Sequence, residues 1–130
     1  MNIGRLDHVN LRTNRLDQMV AWYSNVLGLV PGERPDFGFR GAWLYVGSHP
    51  MVHLVEVPAE CAATDPKIEH FAFTAQGYKG FVARLRDNNV AFDAVKIPGL
   101  SIVQVNVADV DGNHIHVDFN AGEADLKDEM

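Results

Sequence analysis

The chain is poor in the groups that often staple or charge a small protein. Cys61 is the only cysteine in 130 residues, which excludes an internal disulfide and a thiolate zinc site. Positive charge is scarce: 11 Lys and Arg face 17 Asp and Glu, for a net charge of -6 and no basic cluster. That balance argues against nucleic-acid binding, which needs a basic face. The N-terminus from Met1 to Arg12 lacks the charged-then-apolar plan of a signal peptide. No apolar run approaches the roughly 18 residues of a membrane span. The expected setting is a reducing cytoplasm, with neither nucleic acid nor membrane as partner. Hydrophobic residues make up 47% and charged residues 22%, enough apolar material for one globular domain over residues 1–130.

Histidine, by contrast, is present and patterned. His8 and His70 stand 62 residues apart, and His53 and His116 stand 63 apart. The first pair sits in Leu6-Asp7-His8-Val9-Asn10-Leu11 and Ile68-Glu69-His70-Phe71-Ala72-Phe73; the second in Met51-Val52-His53-Leu54-Val55 and His114-Ile115-His116-Val117-Asp118. The same offset relates two helical patterns. Leu16, Met19, Val20, Tyr23 and Leu27 recur at helical spacing, with Asn14 the expected N-cap and Gly28 the residue that ends the helix. Tyr78, Phe81, Val82 and Leu85 repeat the pattern in a helix expected over Tyr78 to Asn88. Strand-like text follows each helix: Leu29 to Glu33, Ala42 to Val46 and Met51 to Val57 in the first half, Ala91 to Ile97, Ile102 to Ala108 and His114 to Phe119 in the second. Asp111-Gly112-Asn113 predicts a hairpin turn, with Ser48-His49-Pro50 in the matching place. The reading is an α+β chain in which each half runs strand, helix, three strands. Module one spans about 5–57, a linker about 58–67, module two about 68–120 and an acidic tail 121–130.

Alternation along strands decides which way the histidines point. His8 shares a face with Asn10 while Val9 and Leu11 take the other. His70 is opposed by Phe71 and Phe73, His53 by Val52 and Leu54, and His116 by Ile115, Val117 and Phe119. The histidine face of the neighbouring strands carries Trp43 and Tyr45, then Gln104 and Asn106. One face is thus apolar and suited to packing on helices; the other suits a concave binding surface. A single histidine on a half-buried strand is more often a hydrogen-bonded structural residue than a ligand. Four at equivalent, cofacial positions favour a metal site at His8, His53, His70 and His116, because neutral imidazole is the commonest metal ligand. His49, in a turn, and His114, at the start of its strand and the rim of the surface, are weaker candidates.

These phrases resemble the vicinal oxygen chelate superfamily, the group of glyoxalases, bleomycin-resistance proteins and extradiol dioxygenases. The resemblance covers about Arg5 to Asn120. Beyond the histidine phrases it rests on Trp22-Tyr23-Ser24-Asn25-Val26-Leu27-Gly28-Leu29 and on Asp109-Val110-Asp111-Gly112-Asn113 before the last strand. It implies two βαβββ modules forming a curved, barrel-like mixed sheet with helices on the outer face. It also implies a homodimer and one divalent transition metal per site, whether iron, manganese, nickel, zinc or cobalt. The family's ligand positions fall on the same four histidines, three or all of which would bind. His53 and His116 stand where relatives often carry carboxylates. The nearest carboxylates are Asp118, two residues beyond His116 on its face, and Glu56, whose parity is wrong without a bulge.

Three functions follow. In the first, the metal chelates vicinal oxygens of a small substrate and stabilises an enolate, as in a glyoxalase-like lyase or isomerase. Asp118 is then the candidate catalytic carboxylate, and Asn10, Phe39, Trp43, Tyr45, Gln104 and Asn106 line the substrate site. In the second, the same centre supports an extradiol-type ring-cleaving dioxygenase. In the third, the groove binds a drug without metal, as bleomycin-resistance proteins do. A degenerate member with purely structural histidines is the remaining alternative.

Overall fold

A computed structural model describes residues 1–2, 4–59, 68–97 and 99–124. Cys61, nearly all of the expected linker and the acidic tail beyond residue 124 lie outside them. The chain divides into two compact units, Met1–Asp65 and Pro66–Met130. Unit 1 contains β1 (Val9–Thr13), α1 (Leu16–Leu27), β2 (Val30–Gly32), β3 (Gly41–Val46) and β4 (His49–Glu56). Unit 2 contains β5 (Phe71–Thr74), α2 (Tyr78–Asp87), β6 (Asp93–Lys96), β7 (Ile102–Ala108) and β8 (His114–Asn120). Each unit is βαβββ, and each forms an open four-stranded mixed sheet. The strand orders are β1-β4-β3-β2 and β5-β8-β7-β6. The first and last strands of each unit pair in parallel, the others antiparallel. No helix among the described residues is long and apolar enough to cross a membrane.

Alternation builds the cores. Leu44, Val52 and Leu54 of unit 1 are fully buried, and α1 brings Leu16, Met19, Tyr23 and Val26 against them. In unit 2, Val103, Val105, Ile115 and Val117 supply the same layer. Phe119 meets Tyr78 edge-on at 5.6 Å and Phe81 at 5.5 Å. Each fully buried aliphatic or aromatic side chain contributes about 1.5–3 kcal/mol relative to an exposed one, so these layers carry most of the stability.

The helix ends differ from expectation at one point. Gly28, at φ 75°, ends α1, and its N–H and that of Leu29 donate to the carbonyls of Ser24 and Tyr23. Asn14 does not cap α1; Arg15 holds the N-cap position without a side-chain cap, and Thr13 Oγ1 accepts the Arg15 N–H. Thr13 is buried and already placed by β1, so its hydroxyl reaches the turn first. In α2, Glu123 supplies the cap from the far end of the unit, accepting from Gly77 N–H at 2.8 Å and Tyr78 N–H at 3.2 Å. A carboxylate there also complements the positive end of the helix dipole.

The Asp109–Asn113 turn is held by one side chain. Asp109 Oδ1 accepts from the backbone N–H groups of Asp111 and Asn113, and Oδ2 accepts from Asn113 Nδ2. Gly112, at φ 84°, supplies the left-handed residue the turn needs. In the matching place of unit 1 the turn is Gly47–Ser48, and His49 belongs to β4 instead of the turn.

Candidate functional site

Register places the site residues in equivalent rows. In unit 1, Asn10, His53 and Trp43 lie side by side on β1, β4 and β3. In unit 2, Ala72, His116 and Asn106 do so on β5, β8 and β7. His8 and His70 immediately precede β1 and β5. Within each unit the two histidines stack: His8 on His53 with ring centroids 3.9 Å apart, and His70 on His116 at 3.9 Å. His53 and His116 are buried, while His8 and His70 are exposed. A histidine entering the first strand of each unit and one on its parallel partner therefore recur as a stacked pair.

Unit 2 adds a third imidazole. Nitrogen atoms of His70, His114 and His116 all lie within 4.8 Å of one another. His114 Nε2 and His116 Nε2 are 3.1 Å apart. Two imidazole nitrogens on one tetrahedral zinc, each bonded at about 2.0–2.1 Å, stand roughly 3.3 Å apart, so this hydrogen-bonding distance would also accommodate two ligands of one ion. Glu69 sits behind the group. Its Oε2 accepts from His70 Nδ1 and its Oε1 accepts from His114 Nδ1 at 3.1 Å. A carboxylate on Nδ1 fixes the tautomer and leaves Nε2 as donor toward a metal. Around the Nε2 atoms, that of His114 stands 2.9 Å from Asn106 Oδ1, and Gln104 Nε2 donates to His116 Nε2 at 3.1 Å. Gln104 also donates to Asn106 Oδ1 at 3.1 Å. The donor set fits a divalent cation that accepts imidazole.

Charge distribution favours the same use. Burial lowers the pKa of His116 from the usual value, and the neighbouring His70 and His114 push in the same direction. Burial, then His8, lowers that of His53. Both therefore stay neutral, as a ligand must. The hydrogen bonds from His70 and then His114 hold the Glu69 carboxyl below its ordinary range. Asp7 is held low in the same way, chiefly by its 2.8 Å bond from His8 Nδ1.

In unit 1 the pair is extended by an aromatic ring. Trp43 stacks on His53 at 4.2 Å and 15°, and Phe37 stands 6.3 Å from Trp43 and 5.7 Å from Phe39. His53 Nε2 donates to the Pro50 carbonyl at 3.1 Å. Tyr45, Trp43, Glu33, Arg34 and Pro35 line a hollow of about 480 Å³. Phe39 does not line it directly but stacks on Phe37; Asn10 is exposed beside His53.

Among the carboxylates considered, Glu56 is engaged elsewhere, accepting from Arg40 Nη1 at 3.0 and 3.2 Å. Asp118 differs. Its Oδ1 is buried and meets no hydrogen-bond partner among the described residues. It borders a groove of about 540 Å³ with Thr74, Gln76, Ser101, Asn120 and others. Reasoning from sequence gave too little weight to His114 and none to Glu69 as a partner of the histidines. The signals were present: His114 shares the parity of His116, and an acid precedes each first-strand histidine, Asp7 before His8 and Glu69 before His70.

Comparison with known proteins identifies the family and the fold. The glyoxalase/bleomycin resistance protein/dioxygenase superfamily model matches residues 5–117. The Arabidopsis thaliana protein "Glyoxylase I 4" is 26% identical over 125 residues, covering 90% of this chain and 71% of the relative. Among solved structures, a glyoxalase family protein from Bacillus anthracis superposes with TM-score 0.76 at 20% identity, covering 92% of this chain and 98% of the other. The fosfomycin resistance protein FosX from Listeria monocytogenes does so with TM-score 0.70 at 13% identity, covering 99% and 100%. At these identities the structural likeness establishes the fold. The family model spans most of the sequence and the two βαβββ units have the matching fold, so this chain belongs to the glyoxalase/bleomycin resistance protein/dioxygenase superfamily.

Proposed function

We propose that the protein is a divalent-metal-dependent enzyme acting on a small substrate with two neighbouring oxygens, in the manner of a glyoxalase-like lyase or isomerase. The observation that carries this reading is the convergence of His70, His114 and His116 with Glu69 behind two of them. Iron, manganese, nickel, zinc and cobalt all suit such imidazole donors. A cation held only by neutral imidazoles keeps its full charge and supplies a Lewis acid able to polarise substrate oxygens and stabilise an enolate. The chain's own residues do the rest. Glu69 holds the Nδ1 protons of His70 and His114, which leaves the Nε2 lone pair of each available to a cation. Gln104 and Asn106 orient the imidazoles and offer hydrogen bonds to a substrate oxygen. Asp118, whose Oδ1 is buried and unpartnered among the described residues at the edge of a groove, takes the substrate proton.

Elemental analysis of untagged protein purified without chelators tests the reading. Stoichiometric transition metal is expected, with no oxygen uptake on a catechol panel. Oxygen uptake would move the assignment to a ring-cleaving dioxygenase. Protein that neither carries nor takes up metal would leave the metal-free binding reading, for which the aromatic hollow of unit 1 is the supporting observation.

A further inference from the structure

The loop before β3 ends its cationic side chain in an unusual setting. Arg34 is half-buried and lines the unit 1 hollow. Its guanidinium carbon stands 4.9 Å from the Phe37 ring centroid and 5.2 Å from that of Phe39. The two rings stack at 19°, and the turn that presents them is fixed by Gly38, at φ 81°, whose N–H donates to Asp36 Oδ1 at 2.9 Å. On its other side the guanidinium packs on Gly41, where a Cβ would fall 2.8 Å from Nη2. Two phenyl rings and a missing side chain therefore hold the group in place. Each cation–π contact at a partly exposed site is worth about 0.5–1 kcal/mol. None of these contacts uses the guanidinium's five N–H donors, and among the described residues Arg34 has no hydrogen bond or ion pair.

A pre-oriented guanidinium with free donors is suited to a carboxylate, which it binds through two parallel hydrogen bonds. The rest of the hollow wants something flat. Trp43 stacks on His53, and that on His8, so the indole is backed by a column of rings. Tyr45 spends its hydroxyl proton on the Glu33 carbonyl at 2.6 Å and presents its ring. Glu33 is the one acidic group of the lining and is exposed, whereas Arg34 is half-buried. A volume near 480 Å³ matches a ligand of one or two rings. We infer that the unit 1 hollow binds planar aromatic or conjugated carboxylic acids, with the acid group on Arg34 and the flat body on Trp43.

This inference is independent of the metal, and its test is run on the full chain both as purified and after chelator treatment. Cinnamate and the neutral cinnamamide are titrated while the indole N–H resonance of Trp43 is followed, in a Trp22→Phe background that leaves one tryptophan. Cinnamate should bind about tenfold more tightly than cinnamamide, the effect of one or two charge-assisted hydrogen bonds, and equally well with and without chelator. Arg34→Met should erase the preference, while Arg34→Lys should restore only part of it, because the planar fork is lost. Equal affinity for acid and amide, or an acid preference retained in a folded Arg34→Met chain, overturns the inference. So does an acid preference that chelator abolishes. The comparison of acid with amide in unsubstituted Arg34 protein decides the matter even if Arg34→Met does not fold.

Discussion

In unit 1 the row across β1, β4 and β3 reads Asn10, His53, Trp43; in unit 2 the row across β5, β8 and β7 reads Ala72, His116, Asn106. The backbone frame is the same and the central histidine is the same. What surrounds it is not. His116 has His114 and Asp118 on its strand and Gln104 on the next. The positions 63 residues earlier are Met51, Val55 and Gly41. One half thus packs its histidine among hydrogen-bonding groups and a shared carboxylate. The other packs it under an indole. A duplicated sheet fixes where side chains stand; the residue types at those places decide whether the face suits a cation or a flat organic group. Unit 2 has the donors for an ion and unit 1 has the rings for a ligand body.

The sharpest way to break this comparison is to remove imidazoles. In cobalt titrations followed by the visible spectrum, His70→Ala and His114→Ala should each weaken binding more than about 100-fold, beyond what loss of a mere orienting partner produces. Met51→Ala, at the place matching His114 in unit 1, should leave cobalt affinity unchanged. If His114→Ala binds cobalt as the unsubstituted chain does, the three-imidazole centre is wrong and the division of labour between the units goes with it.

The carboxylates behind the histidines give a smaller and more selective effect. Glu69 engages two imidazoles through its side chain. Asp7 engages His8 at 2.8 Å and holds His49 mainly through its backbone carbonyl at 2.7 Å. Glu69→Gln should cost about 10–100-fold in cobalt affinity, with Asp7→Asn costing less. Equal losses would mean that the two acids do equivalent work and that the units are more alike than their residues suggest.

Much of this was legible in the sequence because period carries it. The offset of 62 to 63 residues, the helical stripes of α1 and α2, and the two-residue alternation that sets His53 and His116 apart from Leu54 and Val117 are all local patterns. They specify element order and facing direction. The centre itself was less legible. That Glu69 reaches both His70 and His114, 45 residues apart along the chain, depends on rotamers and on the pairing of β5 with β8, which no window of sequence displays. The same holds for Arg34, whose seat exists because Gly41 lacks a side chain and Phe37 and Phe39 fall on one side of a turn. Asn14 failed as a cap for a related reason: Thr13, one residue earlier, is held by its strand where its hydroxyl meets the Arg15 N–H first.

The smallest expected effect is on acid stability, and there the two units should behave alike. His53 and His116 are similarly buried, 8% and 9% exposed, and burial lowers the pKa of both from 6.5. Above pH 6.5 both are neutral whether the chain is folded or unfolded, and they contribute nothing to the pH dependence. As pH falls through 6.5 the unfolded chain takes up these protons first, so folding is progressively disfavoured. Asp7 and Glu69 act in a lower window. Their carboxyls are held below 3.8 and 4.5, so their stabilisation is present above those values and is lost only in stronger acid. Urea midpoints of chelator-treated protein should therefore decline first between pH 6.5 and 5, and again below 4.5. His53→Gln and His116→Gln should each flatten a comparable part of the first decline and leave the second in place. A midpoint that stays constant from pH 7 to 5 would contradict the burial of both imidazoles. A first decline abolished by one substitution alone would show that the two central histidines, alike in register and exposure, are not alike in environment.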